Sequence, residues 1–202
     1  MLRAGRVSEA EQLLRQILAA APNHADSLHL LGVVALQSGH AAPALDLFDR
    51  ALAVKPLVSP FHLHRAHALL ALRRPAEAEA AARKSLKTRS ANAEAWQVLG
   101  HALSDQQKPA EALRAYREAA RVQPKLPDIA NNLGTALRNL GWLEEAEARL
   151  RDAAAREPDD AGIRLNLANV LKDRGKFAES EATMRAILER APTDPVVLYN
   201  MA

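Results

Sequence analysis

His64 and His67 stand three residues apart in "SPFHLHRAHALL" and share one face of a helix. That spacing can offer two nitrogen ligands to a metal ion. No carboxylate lies at a spacing that completes the set, and His101 is a whole period further on, too far to join directly. The pair therefore reads as polar lining of a binding surface, and no metal site is assigned. His62, on the apolar side of the same helix, reads as a packed histidine. A second constellation is made of amides. Asn132, Asn166 and Asn200 recur at 34-residue intervals, with Asn131, Thr135, Asn139 and Asn169 beside them. An asparagine side chain offers a donor and an acceptor, so it can pair with both groups of a peptide unit. A row of them on one face suits the backbone of an extended polypeptide, with little regard to its sequence. The alternative is that asparagine is simply tolerated at exposed positions.

Covalent chemistry has no foothold. The 202 residues include no cysteine, which excludes a thiolate nucleophile, a disulfide and a cysteine metal site. There is no G-x-S-x-G elbow, no phosphate-binding P-loop and no G-x-G-x-x-G. No enzyme active site and no cofactor are expected within the chain. The start, "MLRAGRVSEAEQ", is charged and lacks the apolar core of a signal peptide. Runs such as "LLGVVAL" are too short to span a bilayer, so no membrane partner is expected and a cytoplasmic location is. A composition of 49% apolar and 25% charged residues suits a folded soluble protein, and aromatics at 3% leave alanine and leucine to build the core. The net charge of +3 is too small to indicate nucleic acid by itself.

The elements that position these residues repeat. Pro22, Pro56, Pro124, Pro158 and Pro192 fall on one 34-residue lattice, with Ser90 on the remaining node. A small column runs Gly32, Ala66, Gly100, Gly134, Ala168, Ala202, and a second runs Ala10, Ala44, Ala78, Ala112, Ala146, Ser180. Leu31, Leu99, Leu133 and Leu167 form a leucine column broken by Arg65. Small residues let two helices approach closely where larger ones would overpack. Gly5, Gly39, Gly141 and Gly175 stand where a first helix should end in a left-handed cap. The lattice prolines should end the second helix.

Period, helix-turn-helix pattern and columns together resemble the tetratricopeptide repeat (TPR) over the whole chain. The resemblance implies an all-α fold, a right-handed α-solenoid of antiparallel helix pairs. One array is expected over 1–202, with a partial repeat at 1–24, full repeats at 25–58, 59–92, 93–126, 127–160 and 161–194, and a partial repeat at 195–202. Because the chain begins and ends inside helices, it reads as a piece of a longer protein. Its uncapped ends, with Leu198 and Met201 on an apolar stripe, suggest self-association. Repeat 59–92 is expected to be the weakest, since Arg65 replaces the leucine, Ser90 the proline, and Ala82 stands where Phe48 and Tyr116 stand elsewhere.

Numbering positions 1–34 in each repeat, helical geometry puts 4, 7, 8 and 11 on the buried stripe of the first helix, helix A, and 2, 6, 9 and 13 opposite. In proteins that this chain resembles, the second stripe lines a groove for partners. Here it includes Leu30, His64, His67, Val98 and His101, then Asn132, Thr135, Asn139, Asn166, Asn169 and Asn200. The "EEAEARLR" charges should form a solvated face of the second helix, helix B. "NNLGTALRNLGWLEEAEARLRDA" and "LNLANVLKDRGKFAESEATMRAIL" are similar to the TPR region of O-linked N-acetylglucosamine transferases and their bacterial relatives. In that family an asparagine ladder guides substrate proteins to a separate glycosyltransferase domain. The leading expectation is a non-catalytic scaffold that holds an extended protein segment. The alternative is the substrate-docking part of a larger enzyme, most plausibly a protein O-glycosyltransferase, and a lesser one is an RNA-binding helical repeat. The central groove positions carry no Lys or Arg, which argues against a phosphate track. Arg-rich, Ala-rich usage points to a bacterial source.

Overall fold

A computed structural model describes residues 2–125, 128–189, 193 and 195–201, with side chains from residue 9 onward except at 196 and 201. Among the described residues there are twelve helices and no strand. They are α1 (Leu2–Ala20), α2 (Ala25–Gln37), α3 (Ala41–Val54), α4 (Ser59–Ala71), α5 (Pro75–Thr88), α6 (Ala93–Asp105), α7 (Pro109–Val122), α8 (Ile129–Asn139), α9 (Leu143–Arg156), α10 (Ala161–Asp173), α11 (Phe177–Leu188) and α12 (Pro195–Met201). The all-α class and the helix-pair plan are those expected from the columns. α2, α4, α6 and α10 each start on the first residue of a repeat. The helices form two compact units, Met1–Lys108 with α1–α6 and Pro109–Ala202 with α7–α12.

The turn from helix A to helix B is built the same way five times. The N–H at position 16 donates to the carbonyl at position 11, in His40 to Ala35, Arg74 to Leu69, Lys108 to Leu103, Trp142 to Leu137 and Lys176 to Leu171, at 2.8 to 3.0 Å. Position 15 between them is left-handed. Gly39, Gly141 and Gly175 adopt it freely, while Arg73 and Gln107 do so at φ 58° and 59°. Gly5, expected to end a helix, lies instead inside α1. An isolated glycine within a helix costs only about 1 kcal/mol relative to alanine, so it need not break one. Pro22, Pro56, Pro124 and Pro158 each stand two residues past a helix end, and Ser90 stands in the same place after α5. Pro192 and Ala202 lie outside the described residues.

Within each pair, the small residue of helix A faces a large one of helix B. A methyl placed on Gly32 would stand 2.6 Å from the Phe48 ring, and one on Gly134 would stand 2.5 Å from Leu150. In α10 and α11 the approach is fixed by a bond, Ser180 Oγ donating to the Ala168 carbonyl at 2.7 Å. Repeat 59–92 is closed by other means: Ala66 and Ala82 are both fully buried, and the Ser59 and Ser85 hydroxyls meet at 2.8 Å in its interior.

Two expectations about faces are corrected. Position 3 of helix A is buried in every repeat, as Ser27, Phe61, Ala95, Ile129, Ile163 and Val197, whereas Trp96, Ala130 and Arg164 at position 4 are only half-buried. Val98, expected in the groove, is 2% exposed. The reason is that successive A helices pack on one another, α2 on α4 and α4 on α6, which covers the side nearest the preceding repeat.

The helix B charges are also not all solvated. Glu147 is 2% exposed and receives Arg151, Arg174 and Lys176, the last at 2.8 Å. Burial alone would raise its pKa, but the bonds from Lys176 and Arg174 outweigh that and hold the carboxyl below the usual range. Glu79, at the same repeat position 68 residues earlier, is also buried and receives Arg83, Gln106 and Lys108. Between and before them the position carries Leu45 and Leu113, both buried. From 45 to 147 apolar and ionic side chains thus alternate along this column, and its next member, Glu181, is exposed.

Candidate peptide-binding site

In the first unit, α4 brings His64 and His67 onto the face expected of them, both half-buried, yet neither stands alone. His64 Nδ1 shares a hydrogen bond of 2.8 Å with His29 Nε2 of α2. His67 Nε2 donates to Glu94 Oε1 of α6 at 3.1 Å. His29 also stacks on Phe61, with ring centroids 4.4 Å apart. The result is a line of three imidazoles and one carboxylate across three A helices. Burial pushes the His29 pKa down to about 4, reinforced by the neighbouring His64. Burial also lowers His64, with the charge of His67 adding to it and Glu94 opposing. The bond from His67 holds the Glu94 carboxyl below its ordinary value. His101 is half-buried on α6. Around this line, Leu30 is 51% exposed and Lys55 pairs with Asp26 at 2.7 Å. Among the described residues, no three His, Asp or Glu side chains gather as a metal-ligand set.

In the second unit, α8 and α10 carry the amides. Asn166 Nδ2 donates to Asn131 Oδ1 at 2.6 Å, bridging the two helices. Asn132 is half-buried, and its Nδ2 is buried without a hydrogen-bond partner among the described residues. Thr135 and Asn169 are half-buried and Asn139 is exposed. Asn200 is half-buried on α12, where its backbone carbonyl accepts from Lys172 Nζ at 3.3 Å. Arg138 closes the edge of this face by pairing with Asp173 at 2.5 Å.

One rule joins these contacts. His29 meets His64, Asn131 meets Asn166 and Arg138 meets Asp173, each 35 residues apart. In these three pairs a residue on one A helix thus touches the residue one position later on the next. Leu63 and Val98 are the equivalent couple between α4 and α6, and both are buried. Residues compared at intervals of 34 leave His29 unnoticed and make Asn131 a mere neighbour of the row. An interval of 35 among the seven histidines would have picked out His29 and His64.

Paired helices of 13 and 14 residues, closed by a left-handed turn and repeated every 34 residues, define a tetratricopeptide repeat protein. The profile of the cilia and flagella-associated protein 70 C-terminal domain, a TPR domain, matches residues 1–195, and the chain belongs to that family. Comparison with curated proteins gives no match. Among solved structures, TTC0263, a thermophilic TPR protein of Thermus thermophilus, is 26% identical with a TM-score of 0.69, over 87% of this chain and 96% of that one. YrrB, described as a TPR protein with an unusual peptide-binding site, aligns with a TM-score of 0.75 at 16% identity, over 93% of this chain and 97% of that one. MamA aligns with a TM-score of 0.71 at 18% identity, over 77% of this chain and 91% of that one. TPR proteins are protein-interaction scaffolds. No feature of these comparisons singles out the transferase TPR region from other TPR proteins. Among the described residues no helix is long and apolar enough to cross a membrane.

Proposed function

We propose that this chain is a scaffold without catalytic chemistry of its own, which holds an extended polypeptide segment along the A-helix face of its second unit. The observation that carries the reading is the buried, unpartnered Nδ2 of Asn132 beside the half-buried Thr135, Asn166 and Asn169. A buried amide N–H left without an acceptor costs about 1–3 kcal/mol, and a bound backbone carbonyl would recover much of it. The Asn131 and Asn166 pair is already satisfied internally and fixes the spacing of the two helices. Asn132, Thr135 and Asn169 are therefore the groups that read the ligand, Asn131 and Asn166 orient them, and Asn200 of α12 continues the row.

The test is binding of unfolded polypeptides by Asn132→Ala, Asn166→Ala, Asn200→Ala and the triple variant. Asn132→Ala should weaken binding by about 0.5–1.5 kcal/mol, similarly for peptides of unrelated sequence, because backbone is being read, and Asn166→Ala should weaken it only through the spacing of α8 and α10. Helical circular dichroism should stay unchanged. A folded triple variant that binds every parental partner equally well sinks the proposal.

A further inference from the structure

Repeat 59–92 carries a cavity of about 760 Å³ on the opposite side from the peptide face of α4. None of Pro60, His64, His67 or Ala71 lines it. Its size is in the range of small-molecule sites. One wall is apolar, made by Leu52 and Ala53 of α3 with Pro56 and Leu57 of the following connection. The other is cationic, made by Arg65 of α4 with Lys84 and Lys87 of α5.

The cavity follows from the broken leucine column. Leu99, Leu133 and Leu167 are buried at the position where this repeat has Arg65. Arg65 cannot fill that space with its charge unpaired, and it turns to Asp49, with Nε 2.5 Å from Oδ1. Asp49 is the only acid among the lining residues, so Lys84 and Lys87 share the cavity without an ion-pair partner among the described residues. His62 also lines it and is 7% exposed. Its Nε2 donates to the Pro56 carbonyl at 2.8 Å, which leaves Nδ1 as an acceptor, buried and without a partner among the described residues. Burial first lowers the pKa of this ring, against the Pro56 bond that raises it, and the charges of Lys84 and Arg65 lower it further. The cations therefore find no counter-charge in the cavity lining other than Asp49.

We infer that this cavity binds a small amphiphilic carboxylate, its head between Lys84, Lys87 and Arg65 and its apolar body against Leu52 and Leu57. Such a head group can come from an acyl chain or from the C-terminal residues of a peptide. The site is separate from the A-helix face, so the inference stands or falls independently of the function proposed above.

The experiment is calorimetric titration of the whole chain at pH 7.5 and low salt with decanoate and with N-acetyl-leucyl-leucine, against decanol and the dipeptide amide as uncharged controls. Saturable one-to-one binding of at least one carboxylate, at least tenfold tighter than its control, is expected. Whichever carboxylate binds more tightly identifies the source. Lys84→Gln with Lys87→Gln changes two exposed side chains and should weaken binding about tenfold, since two partly solvated charge contacts are lost. Lys84→Arg with Lys87→Arg should restore it. Controls that bind as well as the acids, affinity unchanged in the glutamine variant, or no saturable binding of either acid would each overturn the inference.

Discussion

The A helices of the first unit are joined by His29 and His64, and those of the second by Asn131 and Asn166, at the same two repeat positions. The backbone geometry of the repeat fixes which positions meet, and the residue type decides what the meeting does. Two imidazoles at 2.8 Å cannot both hold an extra proton, and Phe61 stacks on one of them. Two amides at 2.6 Å do not titrate at all. All seven histidines lie between His24 and His101, so the second unit has none. One repeat frame has thus been given a seam that responds to acid and a seam that does not.

The largest expected effect lies in the second unit. Glu147→Ala leaves Arg174 and Lys176 without their buried carboxylate and should cost about 3–5 kcal/mol in chemical denaturation. Leu133→Ala should follow at ~2–5 kcal/mol, as a buried leucine truncation does. A loss of under about 1 kcal/mol for Glu147→Ala would mean that its cations re-pair in solvent.

Acid should separate the units. His29 and His64 titrate below 6.5 in the folded chain, His29 at about 4, so on acidification the unfolded chain takes up protons first. Their contribution is intact above about pH 6.5 and is lost as pH falls toward the folded values. The stabilisation from the depressed carboxyls, Asp26, Glu77 and Glu94 in the first unit and Glu147 in the second, is lost only below their ordinary values of 3.8 to 4.5. Between pH 7 and 5, hydrogen-exchange protection should therefore fall in α2 and α4 and hold in α8 and α10, after correction for intrinsic rates. His29→Asn with His64→Asn should narrow the difference, the remainder coming from His62 of α4, whose pKa burial also lowers. Equal loss in both units would break the comparison.

Smaller effects sharpen it. Arg73→Gly and Gln107→Gly relieve left-handed strain at helix A to helix B turns, which glycine occupies in the second unit, and should each raise stability by ~0.5–1 kcal/mol. Asn139→Ala, on an exposed side chain of the second unit, should stay within about 0.5 kcal/mol. Equal denaturation midpoints for Asn139→Ala and Leu133→Ala would overturn the assignment of faces.

The period, the close-packing small columns and the glycine turns were legible because each is a local demand that recurs in phase. Contacts between neighbouring repeats were not, since they join unlike positions, 35 residues apart for His29 and His64 and 27 for His67 and Glu94. The burial of position 3 was hidden for a related reason: it comes from helices of the adjacent repeat, which a single-helix projection does not contain. Arg73 and Gln107 hold the same left-handed turn as Gly39 without advertising it. Glu147 reads as a surface charge because sequence spacing cannot distinguish an i,i+4 pair in water from one sealed by the following turn. Of the amide site, the row of asparagines could be read, but which amide is satisfied internally could not. Met201, part of the expected exposed end, lies outside the described side chains, while Leu198 is 47% exposed.

The alternation of Leu45, Glu79, Leu113 and Glu147 bears on how the chain avoids assembling wrongly. Repeats that are alike in length and outline can slip past one another, each helix pair seating on its second neighbour's footprint. If the pairing slipped by one repeat, a buried glutamate would meet the seat of a leucine, and Lys108, or Arg174 and Lys176, would face an aliphatic surface. A slip of two would restore the match but would have to leave an entire repeat unpacked. Over the four repeats from 25 to 160 the column therefore penalises the nearest misalignment most, while Glu181, exposed in the next repeat, adds nothing to it.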